Sequence, residues 1–267
     1  MYTEFGLSKA DDTVVCVHGL TRNGRDFDVL AKNLAQSARV VCPDVVGRGR
    51  SDWLPQGVDY EYDQYCTDMA VLIGRLERDQ IDWIGTSMGG IIGMMLAARP
   101  NSPIRRLILN DIGPVVPTEG LARVAAFVGE DPVFDSIAQL ETYMRRVHAP
   151  FGILNDWQWR HLATHSARQL PDGRLALAYD PRISKPFRDQ PLKEVDIWPL
   201  WDAIKCPVLV LRGASSDILD RETAAEMQTR GPCAKVVEFP ECGHAPSLMD
   251  DDHVDIIHDW LFGSGGV

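Results

Sequence analysis

The strongest constraint on this chain is an alternation. Six short runs of apolar and largely β-branched residues, at 13–17, 39–42, 81–84, 106–110, 207–212 and 235–239, are separated by longer stretches of helical spacing. Runs that are nearly continuous in apolar residues suit strands covered on both faces. Between them, 25–36, 65–79, 88–99, 221–230 and 251–262 place apolar residues every three or four positions. Strand followed by helix, repeated, predicts an α/β fold with a mostly parallel sheet flanked by helices. A dozen residues precede the first of these runs, room for one further short strand near 2–5. The alternation breaks once. From 115 to 200 no strand pattern stands out, and TEGLARVAAFVG, DSIAQLETYMRRVHAP and DWQWRHLATHSARQL each open on a cap or acidic turn and continue at helical spacing. The expected organisation is a core of 1–114 and 201–267 carrying a helical insert at 115–200. The tail GSGGV reads as frayed.

Composition removes several classes of function. The 267 residues carry 27 Lys and Arg against 38 Asp and Glu, a formal charge of −11. That balance opposes binding to nucleic acid, which needs cations against phosphate, and to anionic lipid. No run of 18 apolar residues is present, so no membrane span is expected. MYTEFGLSKADD lacks the basic and apolar regions of a secretory signal, which favours the cytoplasm. The six cysteines form no CxxC pair and read as buried, reduced thiols; with no clustered ligands, no metal site and no cofactor are expected.

One stretch reads as chemistry. Gly85-Thr86-Ser87-Met88-Gly89 follows the run IDWI and opens the helical run IIGMMLAAR. A serine between two glycines at a strand–turn–helix junction is the setting of a nucleophile elbow: the turn is too tight for a side chain at either glycine, and the hydroxyl is exposed at a helix N-terminus. Serine needs a base, and the base needs an orienting acid. Two later runs end in suitable residues, Asp217 after PVLVLRG and His244 after KVVEFP, in the order Ser, acid, His. Asp111, after RLILN, and Asp220 are rival acids. Oxyanion donors are expected from the backbone N–H groups of Met88 and of Leu20, in the loop after TVVCV. His18 reads as a brace for that loop, and DVVGRGRSDW, without P-loop spacing, as a structural turn around a buried Asp44.

These pieces carry a resemblance. VHGL (17–20), DVVGRGRSDW (44–53), GTSMGG (85–90), LILNDIGP (107–114), LRGASSDIL (211–219) and CGHAP (242–246) resemble the α/β-hydrolase fold superfamily, and the details are similar to proteobacterial carboxylesterases, some of which act on short esters and polyesters. The resemblance implies Ser87 as nucleophile, His244 as base, Asp217 as acid, and a cap at about 115–200. The superfamily usually has two antiparallel strands before VHGL, and here one fits. The function expected is hydrolysis of carboxylic esters of small molecules, with short to medium acyl chains and aliphatic polyesters in range, by a monomer or small homo-oligomer. The same triad serves C–C bond (meta-cleavage product type), lactone and amide hydrolases, and a ligand-binding receptor of this fold is the alternative from another class. Cap residues Met144, Phe151 and Trp157 are expected to line the substrate pocket.

Overall fold

The computed structural model describes residues 1–189 and 191–263; the expectation for the tail lies, beyond Gly263, outside the described residues. Seven strands form the main sheet: β1 (Tyr2–Phe5), β2 (Thr13–Val17), β3 (Arg39–Pro43), β4 (Ile81–Thr86), β5 (Ile104–Asn110), β11 (Val208–Gly213) and β12 (Lys235–Phe239). Their order across the sheet is β1-β3-β2-β4-β5-β11-β12. β1 pairs antiparallel with β3, and every other pair is parallel. All six strands read from the sequence are present, and the short N-terminal run supplies the single antiparallel edge strand.

The two-residue period of a strand sorts its side chains between two cores. Val15, Val17, Leu107, Leu109 and Val210 face one layer, with α2 (Tyr62–Arg75) and α3 (Met88–Ala97) among the helices that cover it. Val14, Cys16, Ile108, Leu209 and Leu211 face the other, under α1 (Asp28–Leu34) and α10 (Asp251–Phe262). Both faces of each central strand are therefore dry, which is why their sequences are apolar throughout. α9 (Arg221–Met227) joins β11 to β12 and begins at a side-chain cap, Asp220, whose Oδ1 accepts from Thr223 N–H at 2.6 Å. That capping bond is the role the structure gives Asp220.

The insert is not purely helical. It contains α4 (Thr118–Ala125), α5 (Ile137–Val147), α6 (Asp156–His165) and α7 (Lys185–Arg188), and α8 (Trp198–Ala203) leads back to β11. Yet β7 (Val133–Phe134), β8 (Ala167–Gln169) and β9 (Leu175–Leu177) form a small antiparallel sheet. Strands of two or three residues are too short to show a period. The signal that was available is the Pro-Asp-Gly turn of LPDGRL, where Gly173 takes φ +89° and Leu170 N–H donates to Arg174 C=O at 2.8 Å. At the base of the insert, β6 (Val115–Val116) pairs with β10 (Val195–Asp196), so the chain leaves and rejoins the core through one two-stranded ribbon.

Side chains and backbone stitch the insert to the core. Tyr60 O–H donates to Asp180 at 2.7 Å, Gly49 N–H to Ala178 C=O at 2.7 Å, and Arg22 to Ser166 Oγ at 2.9 Å. Asn23 Nδ2 donates to the His165 carbonyl at 3.0 Å.

Candidate active site

Ser87 sits between β4 and α3 with φ +51° and ψ −116°, a conformation that side chains rarely adopt. The two glycines of the motif are obligatory for steric reasons. A Cβ at Gly85 would lie 2.3 Å from the Gly89 carbonyl oxygen, and one at Gly89 would lie 2.1 Å from that of Val17. The turn is pinned by Ser87 N–H donating to Asn110 C=O at 3.1 Å and by Trp83 Nε1–H donating to Gly89 C=O at 3.0 Å.

His244, after β12, reaches Ser87 with Nε2 at 3.0 Å from Oγ. Its Nδ1 lies 2.8 Å from Asp111 Oδ2. A carboxylate only accepts, so Nδ1 carries the proton and Nε2 is left to accept from the serine hydroxyl. Asp111 is fully buried at the end of β5, with φ +55°, a backbone region that Asp tolerates better than most residues. Its Oδ1 accepts from Gly213 N–H at 2.7 Å, and its Oδ2 also accepts from Ser216 O–H at 2.5 Å. Every bond Asp111 makes thus holds one orientation of the imidazole.

Asp217 is not in that position. Its carboxylate is held by Arg123, from Nε and from Nη2 at 2.8 Å, and its side chain is 38 % exposed. Burial alone would raise its pKa, but the Arg123 hydrogen bond and charge outweigh burial and hold it below the usual carboxylate range. The confusion has a physical origin. β5 and β11 are neighbours in the sheet and both end at the site, so strand position favours Asp111 and Asp217 equally. The residue that breaks the tie, Ser216, acts through its hydroxyl on Asp111.

The loop after β2 is bolted from behind. His18 is buried; Val45 N–H donates to its Nε2 at 2.9 Å, so its Nδ1–H donates to Gly19 C=O at 2.7 Å. Burial, the largest influence, pulls its pKa down to about 4, which keeps this tautomer neutral. Arg48, also fully buried, donates to Leu20 C=O at 2.9 Å and Val46 C=O at 2.8 Å, and to Met88 Sδ at 3.6 Å. It therefore touches both residues expected to supply oxyanion donors, a role the sequence reading missed. Met88 is the first residue of α3, where backbone N–H groups have no intrahelical partner. The DVVGRGRSDW turn closes on the buried Asp44, which accepts from Gly24 N–H at 2.8 Å and Arg50 N–H at 3.0 Å.

A family model described as the alpha/beta hydrolase fold matches residues 12–251. This chain belongs to the alpha/beta hydrolase family. A curated relative from Cupriavidus necator, a 3-hydroxybutyrate-oligomer hydrolase, is 44 % identical, covering 98 % of this chain and 92 % of its own. A putative hydrolase from Rickettsia typhi, of solved structure, is 35 % identical with a TM-score of 0.91, over 97 % of this chain and 89 % of that one. An alpha/beta hydrolase from Novosphingobium aromaticivorans is 36 % identical with a TM-score of 0.85, over 96 % and 91 %.

In this alpha/beta hydrolase Ser87 and His244 open onto a cavity of about 590 Å3 between the sheet and the insert, lined mostly by apolar groups and including Leu20, Met88 and Phe151. Phe151 is thus where the sequence reading put it. Met144 and Trp157 are not. Met144 is buried behind the cavity, where its sulfur accepts from Arg22 at 3.6 Å. Trp157 is 57 % exposed and stacks on His161, because the buried face of α6 is formed by Gln158, Trp159, Leu162 and Ala163. Their places on the wall are taken by Leu121, Val124 and Phe127. His148 is also on the wall; burial first, then the charges of Arg22, Arg123 and His244, push its pKa well below the ordinary histidine value.

Among the described residues the fold also gathers one set of ligating side chains that are far apart in sequence. Atoms of Asp28, His161 and His165 lie within 4.8 Å of one another. Asp28 is engaged by Arg25 in two hydrogen bonds, at 2.8 and 2.5 Å. No described helix is long and apolar enough to cross a membrane.

Proposed function

We propose that this ester hydrolase works through an acyl-enzyme on Ser87, with His244 as base and Asp111 as the orienting acid, and that its substrates are short oligoesters of hydroxy acids. The observation that carries the reading is the continuous hydrogen-bonded series Ser87–His244–Asp111 at the floor of a largely apolar cavity. The identity with the Cupriavidus necator protein supports the substrate class.

Ser87 Oγ attacks the ester carbonyl carbon while its proton passes to His244 Nε2. Asp111 keeps Nδ1 protonated and stabilises the imidazolium. The carbonyl oxygen, now anionic, faces the N–H groups of Leu20 and Met88. Collapse breaks the C–O bond to the alcohol, which leaves with the proton from His244. Water then attacks the acyl carbon and gives a proton to the same nitrogen. Ser87 departs with that proton, and the free acid is released.

The segment 115–200 acts as a cap that shapes the acyl and alcohol subsites without supplying a reacting group; every group named above lies outside it. Six cysteines with no disulfide among them suit a reducing compartment such as the cytoplasm, and the protein works as a monomer or small homo-oligomer. The test is hydrolysis of 3-hydroxybutyrate dimer and trimer, with product acid followed by titration. Wild-type turnover that vanishes in Ser87→Ala supports the reading; cleavage of aryl esters without cleavage of either oligomer removes the substrate class.

A further inference from the structure

The chain as a whole is acidic, with 38 Asp and Glu against 27 Lys and Arg. The described wall of the cavity reverses that balance. Arg22, Arg123 and Lys193 line it, and no Asp or Glu does. Arg22 and Arg123 are each paired with an aspartate, Asp26 and Asp217, and Lys193 is exposed, so what the wall can offer a substrate depends on which cationic donors are still open.

The three cations differ in what they have left to offer. Arg22 is spent: its Nε and Nη2 hold Asp26 at 2.8 and 2.7 Å, and its Nη1 donates to Ser166 and Met144. Arg123 is not. Asp217 takes the Nε edge of the guanidinium, using Nε–H and one N–H of Nη2. A guanidinium has five N–H donors, so Nη1 and the second N–H of Nη2 remain as a two-pronged edge. That edge matches the geometry of a carboxylate. The charge of Arg123 also bears on the cavity wall, since it adds to burial in keeping His148 neutral. Lys193, exposed in the returning arm of the insert, adds a second positive charge on the lining.

We infer that the site is built for esters that carry a free carboxylate, which Arg123 receives on its open edge while Asp217 fixes the guanidinium in place. In an oligoester of hydroxy acids that carboxylate lies on the alcohol side of the last ester bond, so the leaving product is itself a hydroxy acid. This rests on the ester-hydrolase reading above and adds to it the end of the chain that is recognised. Asp217, which the sequence offered as the catalytic acid, becomes a positioning residue for the substrate-binding cation.

The experiment compares a 3-hydroxybutyrate dimer as its free acid with the same dimer capped as a methyl ester, and uses 4-nitrophenyl butyrate as a neutral reference. Wild-type kcat/KM should favour the free acid by about 10- to 100-fold, the range expected of a charge-assisted, two-pronged hydrogen bond. The preference should shrink as salt is raised. Arg123→Gln should bring the ratio of free acid to capped dimer towards one, through KM more than kcat, and Arg123→Lys should fall between. Asp217→Asn, which keeps the cation but frees the guanidinium, should weaken the preference through KM to a ratio between those of wild type and Arg123→Gln, and an unchanged ratio would remove the positioning role from Asp217. Equal rates on both dimers by wild-type protein, or an unchanged ratio in a folded Arg123→Gln protein, would overturn the inference while leaving ester hydrolysis intact. Wild-type protein inactive on all three esters would overturn the hydrolase reading and this inference with it.

Discussion

Two aspartates on adjacent strands carry different loads. Asp111 is buried and accepts from Gly213, Ser216 and His244, whereas Asp217 is half-exposed and faces Arg123. Replacing Asp111 by Asn removes the acceptor that fixes the imidazole tautomer, so kcat on a simple aryl ester should fall by on the order of 10^4-fold. Asp217→Asn should change it by less than about 10-fold, because that carboxylate does not touch His244. Steady-state rates of the two purified variants decide the matter, and the opposite ranking would return the acid to Asp217. Ser87 and His244 were legible because both the elbow and the strand-end position constrain them from local sequence. The acid was not, since its assignment depends on which of two neighbouring strand ends reaches the imidazole, and that is settled by the Ser216 hydroxyl and by Arg123, 94 residues away from Asp217 in the chain. Arg48 escaped notice for a related reason: an arginine in a Gly- and Arg-rich turn looks solvated until the loop it supports is folded over it.

The elements of the core follow from their sequences, and those of the insert only in part. Continuous apolar runs announce the central strands, because each residue has a buried place on one face or the other. The insert's helices are visible from their polar or acidic first turns and helical spacing, and the structure adds the caps: Ser136 Oγ accepts from Gln139 N–H at 3.3 Å, and Asn155 and Gln158 form a reciprocal capping box. The small sheet was not, since two or three residues carry no period. Within the insert, α4 with the segment after it and the segment after α5 set the cavity wall, through Leu121, Phe127 and Phe151. Phe127→Ala should widen that wall and shift the preferred acyl length of aryl esters upward by one or more carbons, while activity on the acetate survives. A pocket of this kind separates homologues by only about 1–3 kcal/mol per methylene. Loss of activity on every ester in a folded Phe127→Ala protein would show that the insert contributes to the chemistry itself. The latch between insert and core makes a second prediction at this scale. Tyr60 O–H donates to Asp180 and accepts from Leu54 N–H at 3.0 Å, so Tyr60→Phe leaves the half-buried Leu54 N–H without this acceptor and removes one bond from Asp180, which keeps those of Arg182. Urea denaturation should show a loss of about 0.5–1.5 kcal/mol, and an unchanged midpoint would mean the latch carries no stability.

Buried polar groups join the segment 115–200 to the rest of the chain, and the pH dependence of stability should report the buried imidazoles. His18 and His165 are drawn down to about 4, and His148 is held well below the ordinary histidine value, each chiefly by burial. A histidine whose folded pKa lies below its unfolded value takes up its proton first in the unfolded chain, so stability is lost as pH falls from about 6.5 towards the folded pKa. Each such proton on a fully buried group is worth roughly 1 kcal/mol per pH unit in that window. The depressed pKa of Asp180, where the hydrogen bonds of Arg182 and Tyr60 outweigh burial, adds a loss of the same sign at lower pH. The urea midpoint should therefore drop steeply between pH 7 and pH 5, well before the carboxylates titrate; a flat midpoint over that range would contradict neutral burial of these imidazoles. The most direct test of the central claim, that Ser87 is a nucleophile activated by His244 and Asp111, is intact-mass and peptide mapping after treatment with a fluorophosphonate. One adduct per chain should form, on the peptide containing Ser87, and its rate of formation should collapse in His244→Ala and Asp111→Asn but not in Asp217→Asn. An adduct on another residue, or none while the protein still turns over esters, would contradict the account.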